Sequence, residues 1–448
     1  MIQLTVVTTL FGAMSAAAAI DEGLLGEAGE RVLVVANNAP IPEAVPSLVD
    51  TPGADAVLSR FDRVIDLGAL LSPQRPSRWT VDSIDMPTQE KLLRSHWGLG
   101  ESAIHLVLES VHVPPAATMA AVFNSARITV LSEGLMSYGP TRDPQSHPFG
   151  QRLTGMVYLD LVDGLDPLLL SEHGVDYHPI APEAFARLVQ EVCDAARILR
   201  TEHLEPTVLV LGQYLAALRL ITPVEELAMQ TRMLGAAREL GAKRVLFKPH
   251  PSAPSTDTNA LMNAAHDAGL EIELVDPRLS AEAVMATHRL VGAVAGFSTA
   301  LATARRVFDL PTKAVGAEAM FGTLKPFENS NRIPLTIVDF LDNHGTDEDA
   351  IDHLRRLTVA VAYAMQPEVL AHRRAEAVAF LETCSGHERT RYFHGDRINK
   401  LRLPEAATPR KASRVADGVV MLFPPTLSRA ADRYLRRARA KVASLRSR

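Results

Sequence analysis

The sequence predicts an α/β protein built from two doubly wound, Rossmann-like domains that face a central cleft. Short apolar segments of strand length alternate with amphipathic segments of helix length along most of the 448 residues. Strands that alternate with helices form parallel sheets covered by helices on both faces. A charged, proline-containing break near residues 199–207 divides this pattern into two halves.

The first half is expected to begin with a strand over residues 2–8, followed by a small-residue loop around Gly12 and a helix through the alanine run to about Leu25. A secretory signal is the alternative, but no Lys or Arg precedes the apolar stretch. The next apolar run, RVLVVANN, favours the strand because it supplies a neighbour for it. The other strands predicted in this half cover residues 32–36, 63–66, 104–108, 127–131 and 156–161, and a helix covers 182–199.

In the second half the pattern predicts strands over residues 207–211, 244–248, 271–275 and 290–295, with a helix over 225–241. The region from about 350 to 400 is expected to be mostly helical and to pack back across both halves. The predicted boundaries divide the chain into two Rossmann-like domains (1–203 and 204–345), C-terminal helices (346–403) and a basic tail (404–448).

Composition excludes several classes of function. The formal net charge of −6 offers no overall basic surface, so we expect no nucleic-acid partner. The two cysteines, Cys193 and Cys384, are too few for a disulfide framework and lack metal-ligand spacing, which favours a reducing, cytoplasmic location. No segment reaches the roughly 18–20 apolar residues that span a bilayer.

Four loops that follow predicted strands carry the candidate chemistry, because ligands of open α/β sheets bind beyond the carboxyl ends of the strands. Glu133 and Gly134 follow the strand over 127–131, where a carboxylate beside a glycine suits a general base; an ordinary turn glutamate is the alternative. Gly212 and Gln213 follow the strand over 207–211 and are a weak signal by themselves.

The other two loops suit an anion. Lys248 and His250 lie in a KPHP turn, in which the prolines restrict the backbone around both side chains. Gly296 ends a strand, and Ser298 with Thr299 stands where a helix begins, so their hydroxyls and free N–H groups could bind a phosphate. A plain turn and a plain helix cap are the alternatives. Together the loops predict transfer of a group from a phosphate to a hydroxyl.

These motifs, in the order SEG (132–134), HP (250–251) and ST (298–299), resemble those of the bacterial sialyltransferases and polysialyltransferases with the GT-B fold. The resemblance also includes EGLMSYGP, GQYL, KPHPS and GFSTAL and covers roughly residues 1–330. It implies an inverting, metal-independent glycosyltransferase with a CMP-sialic acid donor, a glycan or glycolipid acceptor and no cofactor. Asp160 and Asp163, in DLVD, do not form an Asp-x-Asp metal motif and are expected to end a structural strand.

The resemblance also implies a role for each site residue. Glu133 would be the base that activates the acceptor hydroxyl, and His250 would stabilise or protonate the phosphate of the CMP leaving group. Ser298 and Thr299 would hydrogen-bond that phosphate. Glu282 would contact the cytidine ribose.

One position departs from the family pattern, which often has two acids before the glycine; here the first is Ser132. This leaves open a non-catalytic relative that binds nucleotide sugars. CDP-glycerol or CDP-ribitol phosphotransferases and CMP-Kdo transferases are further alternatives, because they place a His-Pro turn and hydroxyl side chains around a cytidine nucleotide. The EGLMSYG segment favours the sialyltransferase.

The tail over residues 428–448 contains eight Lys or Arg side chains and a single acid, Asp432. A basic helix of this kind is expected either to contact an anionic membrane surface or to remain solvated. The sequence therefore allows peripheral contact with the inner face of the membrane.

Overall fold

The computed structural model describes residues 1–38, 47–132, 134–213, 215–216, 220–249, 258–276 and 278–404. A seven-stranded parallel sheet in the first half has the order β3-β2-β1-β4-β5-β6-β7. Its strands are β1 (Ile2–Val7), β2 (Glu30–Val35), β3 (Arg63–Asp66), β4 (Ile104–Leu108), β5 (Arg127–Ser132), β6 (Leu153–Leu159) and β7 (Tyr177–Ile180). The strand order reverses between β1 and β4, which is where doubly wound sheets bind ligands.

Helices cover the faces of this sheet. They are α1 (Leu10–Asp21), α2 (Ala54–Leu58), α3 (Leu67–Leu71), α4 (Met86–His96), α5 (Ala116–Val122), α6 (His147–Gly150) and α7 (Pro182–Ala195). Thr9 caps α1 by accepting a hydrogen bond from Gly12 N at 3.0 Å. The alanine run of α1 is buried, because small side chains let the helix approach its neighbours closely. The N-terminal segment is thus a buried strand followed by a helix.

A five-stranded parallel sheet in the second half repeats this topology with the order β10-β9-β8-β11-β12. Its strands are β8 (Thr207–Leu211), β9 (Arg244–Lys248), β10 (Glu271–Leu274), β11 (Gly292–Ala295) and β12 (Thr312–Ala314). Its helices are α8 (Pro223–Glu239), α9 (Thr258–Asp267), α10 (Ala281–Thr287), α11 (Thr299–Phe308) and α12 (Ala317–Thr323). The order reverses between β8 and β11, so the ends of these two strands flank the second crevice.

The remaining helices are α13 (Arg332–His344), α14 (Glu348–Met365), α15 (Arg374–Thr383), α16 (Gly386–Tyr392) and α17 (Gly395–Lys400). The buried Asp339 carboxylate ties α16 to α13, because it accepts two hydrogen bonds of 2.6 Å from Arg391 and one of 2.9 Å from Tyr392. The start of α13 lies against the first half, where a side chain added at Gly139 would stand 3.2 Å from Ile333. The expected helical region contacts the first half through α14, where Arg355 donates a hydrogen bond of 2.6 Å to Gly164 O.

The predicted fold class is confirmed: two parallel, doubly wound sheets form the GT-B architecture. All ten predicted strands are present. The strand predicted over 156–161 instead covers Leu153–Leu159, and α1 ends at Asp21 rather than near Leu25. The edge strands β7 and β12 were missed, because β7 (YHPI) contains a proline, which argues against a strand, and β12 (TKA) contains no large apolar residue. The predicted domain boundaries stay predictions.

Within the described residues, no helix combines the length and the apolar character needed to cross a bilayer. The predicted basic tail falls almost wholly on residues 405–448, which lie outside the described part of the chain.

Candidate functional site

The carboxyl ends of β8 and β11 meet at the crevice of the second sheet. Gln213 lies just after β8, and its amide contacts Gly296 so closely that any side chain at position 296 would collide with it. Gly212 is similarly enclosed, since an added Cβ would stand 2.9 Å from the Phe247 ring. The side-chain oxygen Oε1 of Gln213 is buried and has no hydrogen-bond partner among the described residues. The structure thus brings Gly212, Gln213 and Gly296 together, and their part in binding a nucleotide stays a prediction.

Lys248 ends β9, next to β8, and only 6% of the residue is exposed. Its ammonium group has no hydrogen-bond partner within the described part of the chain. Burial lowers the pKa of Lys248, while the charges of Glu282 and Asp276 raise it in part. Because an unpaired ammonium group is costly to bury, an anion that reached it would remove that cost.

Glu282 lies in the first turn of α10 and is also buried. Burial raises the pKa of its carboxyl, although hydrogen bonds from its own backbone N–H and from Ser280, and the charge of Lys248, act in the opposite direction. The sequence identified Glu282 and Lys248 separately, and the fold places them within electrostatic range of each other. The crevice therefore contains a cation and a carboxyl, both buried.

Ser298 and Thr299 begin α11 directly after the end of β11. Ser298 is the N-cap residue, and its hydroxyl accepts a hydrogen bond from Ala300 N at 3.2 Å. Capping is thus established for Ser298, whereas a phosphate contact stays a prediction. Thr299 faces the other half of the molecule: an added Cβ at Gly134 would lie 3.3 Å from the Thr299 hydroxyl.

Glu133 and His250, the predicted base and acid, lie outside the described residues. The turn that follows Glu133 is held by hydrogen bonds. Ser132 is buried at the end of β5, and its hydroxyl lies 2.7 Å from that of Ser137, which donates to Gly134 O at 2.7 Å. Ser137 O in turn accepts hydrogen bonds from the backbone of Leu168 and Leu169.

Two consequences follow from this turn. The hydroxyl at position 132, where the family often has an acid, is used inside the protein to hold the turn. Gly134 has an extended backbone, with φ −141°, so its conformation does not call for glycine, whereas an added Cβ would lie only 3.3 Å from the Thr299 hydroxyl.

Sequence reasoning missed Glu109, which follows β4 as Glu133 follows β5. Its carboxylate accepts hydrogen bonds from Thr8 N at 2.9 and 3.0 Å and from the Thr8 hydroxyl at 2.7 Å. Burial raises its pKa to about 7, even though these hydrogen bonds and one from Thr9 N lower it. Its place directly after a strand was the available signal.

Replacing Glu109 by glutamine is expected to weaken the dependence of stability on pH. The folded pKa of about 7 exceeds the ordinary 4.5. The contribution of the protonated carboxyl is therefore full below about pH 4.5 and is lost as the pH rises through about 7. The free energy of unfolding, measured with denaturant near pH 5 and near pH 8, should decrease between the two pH values by less in the variant than in the unmodified protein. The difference should be on the order of 1–3 kcal/mol.

The exposed Glu101 provides the matched control, because Glu101→Gln removes a carboxylate near the start of the same strand. The same pH dependence in Glu109→Gln and in the unmodified protein would show that the Glu109 carboxyl does not titrate in this range.

The described residues contain no group of three or more His, Cys, Asp or Glu placed to hold a metal ion.

Comparison with known proteins connects this geometry to a family. A family model described as alpha-2,8-polysialyltransferase (POLYST) matches residues 3–317 of the chain. Among solved structures, the GT-B domain of a sialyltransferase from Photobacterium damselae is 9% identical; the match covers 77% of this chain and 97% of that chain, with a TM-score of 0.41. No curated protein matches significantly.

Two further solved structures are similar to the chain. A UDP-N-acetylglucosamine 2-epimerase from Rickettsia bellii is 12% identical, with 84% of this chain and 98% of that chain covered and a TM-score of 0.40. An E. coli heptosyltransferase with ADP is 16% identical, with coverages of 70% and 86% and a TM-score of 0.31.

Proposed function

Because this chain belongs to the alpha-2,8-polysialyltransferase family, we propose that it transfers sialic acid, or a related ulosonic acid, from a CMP-sugar to a hydroxyl group of a glycan or glycolipid acceptor. The proposed reaction inverts the anomeric centre and uses no metal. The observation that carries the donor assignment is the buried Lys248 ammonium, which has no hydrogen-bond partner among the described residues and lies within electrostatic range of Glu282.

The crevice has what a cytidine monophosphate needs. The phosphate would lie between Lys248 and the first turn of α11, where the positive end of the helix dipole favours an anion. Binding would give the Lys248 ammonium an anionic partner. Glu282, on the neighbouring helix α10, would accept hydrogen bonds from the ribose hydroxyls.

In the proposed reaction the acceptor hydroxyl oxygen attacks the anomeric carbon of the donor while the bond to the CMP phosphate oxygen breaks. Glu133 takes the acceptor proton, and His250 donates a proton to the departing phosphate. Both roles come from the resemblance. The contact between Gly134 and Thr299 supports them, because it brings the turn after Glu133 next to the start of the phosphate-site helix.

We also propose that the basic tail holds the enzyme at the cytoplasmic face of a membrane. Its eight cations would interact with anionic lipid headgroups, each contributing on the order of 1 kcal/mol. This location would suit an enzyme that extends surface glycans from a cytoplasmic donor.

A panel of nucleotides tests the donor assignment directly. In a thermal-shift experiment, CMP at about 100 times its Kd should stabilise the protein by about 2.7 kcal/mol, whereas UDP and GDP should not. Incubation with CMP-sialic acid and a sialylated acceptor, followed by mass analysis, should show added sialic acid residues. A preference for another nucleotide would overturn the assignment of a CMP-sugar as the donor. Transfer of a glycerol phosphate would favour the phosphotransferase alternative.

The double variant Ser298→Ala/Thr299→Ala should weaken CMP binding at least about tenfold in calorimetry, because two hydrogen bonds to a charged phosphate are lost. Thr303→Val, one turn further along α11, removes a hydroxyl that bonds the helix backbone and is the matched control. Equal CMP affinity in the double variant and the control would remove Ser298 and Thr299 from the site.

A further inference from the structure

Helix α11 contacts the first half of the molecule at both of its ends. At its start, the Thr299 hydroxyl faces Gly134. Near its end, Arg306 forms an ion pair with Asp160, with 2.7 Å between Nη2 and Oδ2. Thr299 and Arg306 are seven residues apart, which is two helical turns or about 10 Å. The two contacts therefore hold one rigid element at two separate points.

Both contact points belong to neighbouring strands of the first sheet. Gly134 follows β5 and Asp160 directly follows β6. The two strands are paired so that Ser132 stands opposite Tyr158. Strands of one sheet are about 4.8 Å apart and rigidly connected. The position of Asp160 is thus tied to that of the turn containing Gly134.

Arg306 also approaches Asp163, with 3.2 Å between the atoms, but the two carboxylates differ in environment. The Asp160 side chain is 17% exposed and the Asp163 side chain is 80% exposed. An ion pair that is partly shielded from water is screened less than an exposed one. Asp160 is therefore the partner that can restrain Arg306.

We propose that Asp160 and Arg306 are positioning residues, whose ion pair sets where the first turn of α11 lies relative to the turn after β5. The proposal rests on the proposed function for its catalytic consequence, because it is the phosphate site on α11 that is held against the acceptor base. A displacement of about 1 Å between reacting groups can cost about 100-fold in rate. Neither residue touches the substrates; each acts through α11.

Asp160→Asn tests the proposal, since it removes the charge and keeps the size of the side chain. We expect kcat to fall about 10- to 100-fold, with the Kd for CMP within about twofold of the unmodified protein because the crevice of the second sheet is intact. Asp163→Asn removes the exposed charge beside the same arginine and is the matched control, with kcat expected within about threefold. The double variant Asp160→Arg/Arg306→Asp exchanges the two charges, and its kcat should be at least about tenfold higher than that of Asp160→Arg or Arg306→Asp alone.

Hydrogen exchange provides a second measurement that does not depend on the donor. In Asp160→Asn, the amides of residues 299–308 should exchange at least about fivefold faster, while those of β8 stay unchanged. If Asp160→Asn showed the same amide exchange rates and the same kcat as Asp163→Asn, the proposal would be overturned. If the unmodified protein neither binds CMP nor transfers sialic acid, the proposed function fails, and the exchange rates still decide whether the ion pair holds α11.

Discussion

Replacing Glu133 by alanine is expected to lower kcat at least about 100-fold, because the acceptor hydroxyl would lose the group that removes its proton. CMP affinity should stay the same, since Glu133 follows β5 while the crevice proposed for the nucleotide belongs to the second sheet. Initial rates of sialic acid transfer, together with calorimetry of CMP, measure both effects. The fold should be retained, because the turn is held by hydrogen bonds between Ser132, Ser137 and Gly134.

The pH profile distinguishes a base from a residue that only supports the turn. In the unmodified enzyme kcat/KM should fall on the acid side as the base becomes protonated, and this decrease should be absent in Glu133→Ala. Glu101→Ala, at an exposed glutamate of the same half, is the control. Turnover in Glu133→Ala close to that of the control would exclude Glu133 as the base.

Replacing His250 by alanine is also expected to lower kcat at least about 100-fold, because the departing phosphate would lose its proton donor. If the imidazole also binds the phosphate, CMP affinity should decrease as well, in contrast to Glu133→Ala. The two variants thus separate the acceptor side of the reaction from the donor side. The measurement is again transfer rate combined with CMP calorimetry.

Two comparisons complete the test at His250. His266 is exposed on α9 in the same half, so His266→Ala should behave as the unmodified enzyme. The decrease of kcat/KM on the alkaline side, which reports loss of the acid's proton, should be absent in His250→Ala. An alkaline limb that persists in His250→Ala would show that a different group donates the proton.

The sequence predicted the fold class and ten of twelve strands because the strands of doubly wound sheets are buried on both faces and therefore consist largely of apolar residues. β1, β4 and β8, for example, are buried at every position. The family identified from the Glu-Gly, His-Pro and Ser-Thr motifs is confirmed by the family model. Edge strands β7 and β12 lack this signal because β7 is interrupted by Pro179 and β12 consists of Thr, Lys and Ala.

Much of the candidate site was predictable in its parts, because its loops directly follow strands. Gly212, Lys248 and Gly296 were found in this way, and Glu109 could have been. The ion pair between Asp160 and Arg306 could not, because its members are 146 positions apart in the chain and each has an ordinary local role. Asp160 follows a strand, as expected, and Arg306 is one of several arginines on helix surfaces.

What the sequence determined by itself is therefore local: which segments are strands and helices, where each strand ends, and which reactive side chains follow it. These properties depend on the period of apolar residues and on the chemistry of a few consecutive positions. Only the tertiary structure decided that Lys248 is buried within electrostatic range of Glu282, that Gly134 lies close to Thr299, and that the hydroxyl at position 132 is used inside the protein. Those facts depend on distances between elements far apart in the chain, which no local pattern specifies.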